Sequence, residues 1–168
     1  MKELGYVISF QSDFFSKFKQ ILAMVEVIPH VKCPAKQIQQ LAKKCLTLLK
    51  KERLRNSDWL RLDLVIVAVG ISEMKKLNSV YRGQNKVTDI LSFDGDGVEN
   101  LGELVICLPQ LRKQAHEHDL THEQEFAYML LHGILHLLGY DHEKSLPEAK
   151  LMFSIQDRLF DQHFKKAH

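Results

Sequence analysis

Cysteine is scarce in this 168-residue chain: three occur, Cys33, Cys45 and Cys107, odd in number and far apart. With no C-x-x-C pair among them, neither a disulfide framework nor a cysteine-zinc ribbon is supported. Each reads as a small buried hydrophobe in a reducing compartment. Long hydrophobic runs are also missing. The longest, LDLVIVAVGI (62–71), is about ten residues, contains Asp63, and is too short for a bilayer core of ~30 Å. The N-terminal MKELGYVISFQSDFF has no long apolar core and no small-residue cleavage site, which argues against secretion and makes the cytoplasm the expected location. Charge of one sign is lacking too. The formal net charge of +2 permits a nucleic-acid partner without requiring one. Repeats, low-complexity segments and interdomain linkers are absent, so a single domain over 1–168 is expected.

What the chain does have is an apolar fraction of 45%, enough for a real core. DFFSKFKQILAMV (13–25) has the pattern of a short amphipathic helix, and VEVIPHV (25–31) has the β-branched content of a strand. Pro34 opens a helix with Ile38, Leu41, Ala42, Cys45, Leu48 and Leu49 on one face. Its other face carries Lys36, Lys43, Lys44, Lys50 and Lys51, either a solvated surface or one that meets RNA. LDLVIVAV (62–69) reads as a strand buried on both sides. A short helix capped by Ser72 follows, then a loop at RGQNK, a strand at TDILSF, an acidic glycine turn, and a fourth strand, GELVIC, stopped by Pro109. Helices occupy the rest: one to about His118, one from Thr121 to Leu138, and one from Ser145 into the tail. Thr121 and Gln124 have the spacing of a capping box. Four strands and these helices predict an α+β domain with one mixed sheet. The short turn makes its last two strands antiparallel, and the long helical connections make the earlier pairings parallel.

Histidine is the compositional anomaly. Of nine, six lie between His116 and His142. His132 and His136 are four apart, which puts them on one helix face about 6 Å apart along the axis. Gly139 suits the helix end, and the turn through Tyr140 and Asp141 swings His142 back toward the pair. Three neutral imidazoles with an open fourth position describe a catalytic zinc site better than a structural one.

The spacing H-x-x-x-H-x-x-G-x-x-H matches the metzincin signature except at Gly133, where a zinc peptidase carries a glutamate that shuttles the proton. Loss of that carboxylate moves the expected chemistry from peptides toward phosphodiesters, which need a cation on the nonbridging oxygens. Glycine there is also expected to leave space beside the metal for a phosphate and its sugars. Arg82, in the loop-like stretch before TDILSF, is either that cation or an ordinary surface residue by spacing alone.

The stretches HGILHLLGYDH (132–142), LNSVYRGQNKVTDILSF (77–93) and LGELVIC (101–107) together resemble the YbeY family of bacterial metallo-endoribonucleases, the rRNA maturation factors. The resemblance is closest over residues 60–145. It implies a zincin-like α+β fold, a mixed four-stranded sheet packed with helices, with the metal-binding helix in the C-terminal half. It implies one zinc ion on His132, His136 and His142, no small-molecule cofactor, and Arg82 at the family's conserved arginine, binding substrate and acting in catalysis. The implied function is cleavage of single-stranded RNA in 3′-end maturation of small-subunit ribosomal RNA and in ribosome quality control. Ribosomal RNA and the ribosome or its proteins are the implied partners, with no membrane.

Some positions depart from the family pattern. Val87 and Asp94 replace frequent prolines, Tyr128 replaces a frequent histidine one turn before His132, and Glu103 replaces a frequent aspartate. Residues 1–24 read as an N-terminal extension relative to shorter relatives. His116, His118 and His122 are either exposed helix-end residues or donors to the leaving oxygen. Asp141 either stabilises its turn or orients a ligand. Two rival readings remain: a zinc peptidase using Glu103 or Glu143 as base, and a non-enzymatic assembly factor with a structural zinc.

Overall fold

The β-branched stretch Asp63–Val69 forms a central strand, β2, in the computed structural model, which describes residues 23–165. The expected helix at 13–25 falls largely outside the described residues, and its last residue, Val25, begins a strand. The strands are β1 (Val25–Pro29), β2, β3 (Ile90–Asp94) and β4 (Asn100–Cys107), in the order β1-β2-β4-β3. β1 and β4 pair with β2 in parallel, and β3 pairs with β4 antiparallel. The expected mixed four-stranded sheet is therefore observed. The β3–β4 turn is drawn tight by Asp96, whose Oδ1 accepts the backbone N–H groups of Val98, Glu99 and Asn100, each at 2.9 Å. Those bonds hold its carboxyl below the usual range.

The helices are α1 (Ala35–Leu49), α2 (Ile71–Arg82), α3 (Leu108–Glu117), α4 (His122–Leu137) and α5 (Leu146–His163), with a 3-10 turn at Ser57–Arg61. One sheet face presents Leu64, Ile66, Leu104 and Ile106 to the apolar sides of α1 and α4. The other presents Val67, Val69, Val105 and Cys107 to Met74 of α2. Being covered on both sides is why β2 is nearly continuously apolar, and each such side chain contributes about 1.5–3 kcal/mol by burial. On α1 the predicted face is buried as expected. Of its lysines, Lys44 lies over the Phe164 ring and donates to the His163 carbonyl, tying α1 to the end of α5.

The capping box forms: Gln124 N–H donates to Thr121 Oγ1, and Thr121 N–H donates to Gln124 Oε1. Ser145, where the last helix was expected to begin, caps α5 by accepting the Glu148 N–H. β4 ends at Cys107 as expected, and Pro109 sits in the first turn of α3, where its missing N–H has no partner to lose. Two boundaries differ. α2 is capped by Gly70 in extended conformation, so Ser72 lies inside its first turn. Arg82 is the last residue of α2 and not a loop residue, with Gly83 closing the helix behind it.

Candidate metal centre

α4 lies across the sheet with its apolar side down, which leaves His132 and His136 facing a cleft of about 730 Å³. Gly139, at φ +86°, ends the helix in the left-handed region, and the chain turns back as expected. His142 thereby closes on the pair. The three ring centroids stand 4.7, 5.0 and 5.1 Å apart. One nitrogen from each falls within 4.8 Å of the others.

The Nε2 atoms of His132 and His136 are 3.2 Å apart. Two imidazole nitrogens bound to one zinc at ~2.0–2.1 Å and a tetrahedral angle stand about 3.3 Å apart, so the donor set fits that ion. Its protonation fits as well. Burial, then the neighbouring His132 and His142, push the His136 imidazole down to about 4. Burial lowers His132 too, so both rings are neutral at pH 7, the state that binds metal.

The tautomer of His132 is set from α5. Its Nδ1 lies 3.0 Å from Gln156 Oε1, so the N–H donates there and leaves Nε2 with its lone pair for the cleft. Gln156 is fully buried and its amide N–H in turn donates to the Tyr128 carbonyl. Sequence reasoning missed this residue. Its signal was a lone amide between Met152, Ile155, Leu159 and Phe160 on the apolar side of α5. Gln156→Leu leaves that N–H unpaired and is expected to weaken metal binding roughly 10- to 100-fold. Competition against a chromogenic chelator measures it. Phe153, also missed, walls the cleft, with its ring centroid 5.3 Å from that of His142 and 6.2 Å from that of His132.

Gly133 has a different role from the one expected. It faces the sheet, where an added Cβ would stand 2.7 Å from Ile90 Cδ1 and 2.8 Å from Leu104 Cδ2. It brings α4 close to β3 and β4 and opens no space beside the metal.

The family model for endoribonuclease YbeY matches residues 26–163. The chain belongs to the YbeY family. A YbeY endoribonuclease of Bdellovibrio bacteriovorus is 46% identical over 133 residues, covering 79% of this chain and 89% of the relative. One from Sulfurihydrogenibium is 36% identical over 129 residues, covering 74% and 85%. The solution structure of a Thermotoga maritima protein aligns with TM-score 0.59 and 31% identity, over 82% of this chain and 87% of that one. Membership makes the chain a nuclease and agrees with the expected α+β fold.

The remaining YbeY positions sort by whether they reach the cleft. Arg82 lines it, is exposed, and adds a minor charge effect to the burial that lowers the His132 pKa. Among the described residues no ion pair holds it. Asp141 lines it as well, and its Oδ1 accepts the Glu143 N–H, so it builds the turn. Tyr128 is not a fourth ligand: its hydroxyl donates to Asp157 at 3.0 Å, and burial with that carboxylate raises its pKa. Of the two carboxylates a peptidase could use, Glu143 lines the cleft and Glu103 does not. Of the three upstream histidines only His118 lines it. His122 faces a separate groove between α1 and α3. No residue of α1 lines the metal cleft, so its lysine face does not border the site.

Proposed function

We propose that this chain is a single-strand-specific endoribonuclease using one zinc ion, held by His132, His136 and His142, with Arg82 as the phosphate-binding and catalytic cation. Its place is the cytoplasm, in 3′-end maturation of small-subunit ribosomal RNA and in ribosome quality control, with the ribosome or its proteins as partners. Residues 1–168 act as one domain in this reading. The observation that supports it most is three convergent imidazoles, two of them held neutral by burial, in a cleft that Arg82 also lines.

When bound, the ion supplies Lewis-acid chemistry, drawing off charge that builds on phosphoryl oxygens. The chain's own residues do the rest. The Arg82 guanidinium grips two oxygens of the scissile phosphate and offsets its added charge in the transition state. Gln156 fixes the ring of His132 so that the ligand geometry is set before substrate arrives. Phe153 shuts water from one wall and offers a flat apolar face to an unstacked base, which a duplex does not present.

Arg82→Glu is the direct test. It keeps the three imidazoles and the metal but replaces the phosphate-binding charge with a repelling one. Cutting of a single-stranded RNA is expected to fall about 100-fold or more at unchanged metal content, with a matched duplex resistant throughout. Equal cutting by native and variant protein removes Arg82 from the mechanism.

A further inference from the structure

The metal cleft extends well past the triad. Glu125 lies on α4 seven residues before His132, on the same face and ~10.5 Å back along the axis. Around it Ser92, Asp89, Gln114 and His118 line the same cleft. Glu125 is only 1% exposed. The one hydrogen-bond partner of its carboxylate among the described residues is His118, at 2.9 Å from Oε2 to Nδ1. A carboxylate at Nδ1 orients the ring, and the His118 side chain is 53% exposed. Gln114 donates its amide N–H to Asp89 Oδ2 at 2.9 Å, yet among the described residues its own Oε1 is buried without a partner, as is Ser92 Oγ. Buried polar atoms are nearly always paired, so these point to a partner that a ligand brings.

The chemistry of that partner follows from the count of donors and acceptors. The Glu125 carboxylate and Gln114 Oε1 only accept, Ser92 Oγ can do either, and Asp89 is already met by Thr88, Ile90 and Gln114. A phosphate would add acceptors and negative charge to a place that has both. A metal ion is poorly served, because among the described residues only the triad converges at ligand spacing. A nucleobase with an exocyclic amino group brings N–H donors on a flat ring, and the exposed His118 imidazole gives it a surface to stack on.

We propose that this end of the cleft is a base subsite. It takes the base neighbouring the nucleotide at the triad and selects an amino-bearing base over uracil. The inference rests on the RNA-nuclease reading of the triad. Cytosine and uracil test it cleanly, since they match in size and differ at the amino group.

The experiment uses zinc-loaded protein and fluorescent 2′-O-methyl oligonucleotides, all-cytosine and all-uracil, verified intact by gel. Binding is read by anisotropy, and cutting of the unmodified RNAs is followed in parallel. The cytosine strand is expected to bind about tenfold tighter. Glu125→Gln, isosteric and no longer acceptor-only, should bring that ratio to about twofold or less, and Gln114→Met should do the same. A purely structural role would weaken both strands alike, and melting temperatures identify any variant that has lost its fold. Equal binding of the two strands by the native protein, or a preference that survives in both folded variants, overturns the subsite; RNA cutting would still support the nuclease. A preference that collapses in the variants, without any RNA cutting, keeps the subsite and removes the nuclease. Neither binding nor cutting removes both.

Discussion

His136→Ala is expected to lose bound zinc and RNA cutting together. Two imidazoles cannot replace three, because His132 and His142 alone would leave half of a tetrahedral shell to solvent and hold the ion too weakly. Metal content after dialysis should fall from about one ion per chain to under about a tenth. Cutting of single-stranded RNA should fall at least about 1000-fold, since both Lewis-acid stabilisation and nucleophile activation leave with the ion. Added zinc should raise the melting temperature of the native protein and leave that of the variant unmoved, because only a native state that binds the ion gains from it. A variant that loses metal and still cuts at the native rate would assign the activity to a contaminant and the zinc to structure.

Gly133→Glu is expected to destroy the fold and create no peptidase. The position points at Ile90 and Leu104, so the carboxylate enters the core between α4 and the sheet without a charge partner. Destabilisation above about 5 kcal/mol is expected, enough to unfold a domain at the low end of the usual range of about 5–15 kcal/mol. Gly133→Ala separates sterics from charge. Its Cβ meets only the ends of two flexible side chains, and the gain in helix propensity of about 1 kcal/mol partly offsets crowding of about 1–3 kcal/mol. Urea unfolding should therefore place the alanine variant within about 2 kcal/mol of native. Soluble, folded glutamate variant would overturn the packing role.

These two substitutions also mark where reading the residues alone stops. Local chemistry was legible: the His132–His136 spacing, Gly139 at the helix end, the Thr121 box and the alternation of strands all depend on neighbours within a few positions. The direction of Gly133 was not. Its spacing next to a metal ligand suggests the cleft, whereas the approach of β3 and β4 decides that it faces the sheet. The pairing of Gln156 with His132 and of Glu125 with His118 depends on how α5 and α3 pack on α4, which no local pattern encodes. Arg82 lay between: spacing left it open, and resemblance singled it out.

The support of His132 by Gln156 also has a consequence in time. Gln156 lies 24 residues further along the chain than the imidazole it holds. Phe153, the wall of the cleft, belongs to the same late helix, α5. At ~5–20 residues per second, translation separates ligand from support by about one to five seconds. Throughout that interval the ring of His132 is free to turn and the cleft lacks a side. Over that interval a nascent chain has its imidazoles before it has the side chains that set and wall them, so the site is completed only once α5 has been made.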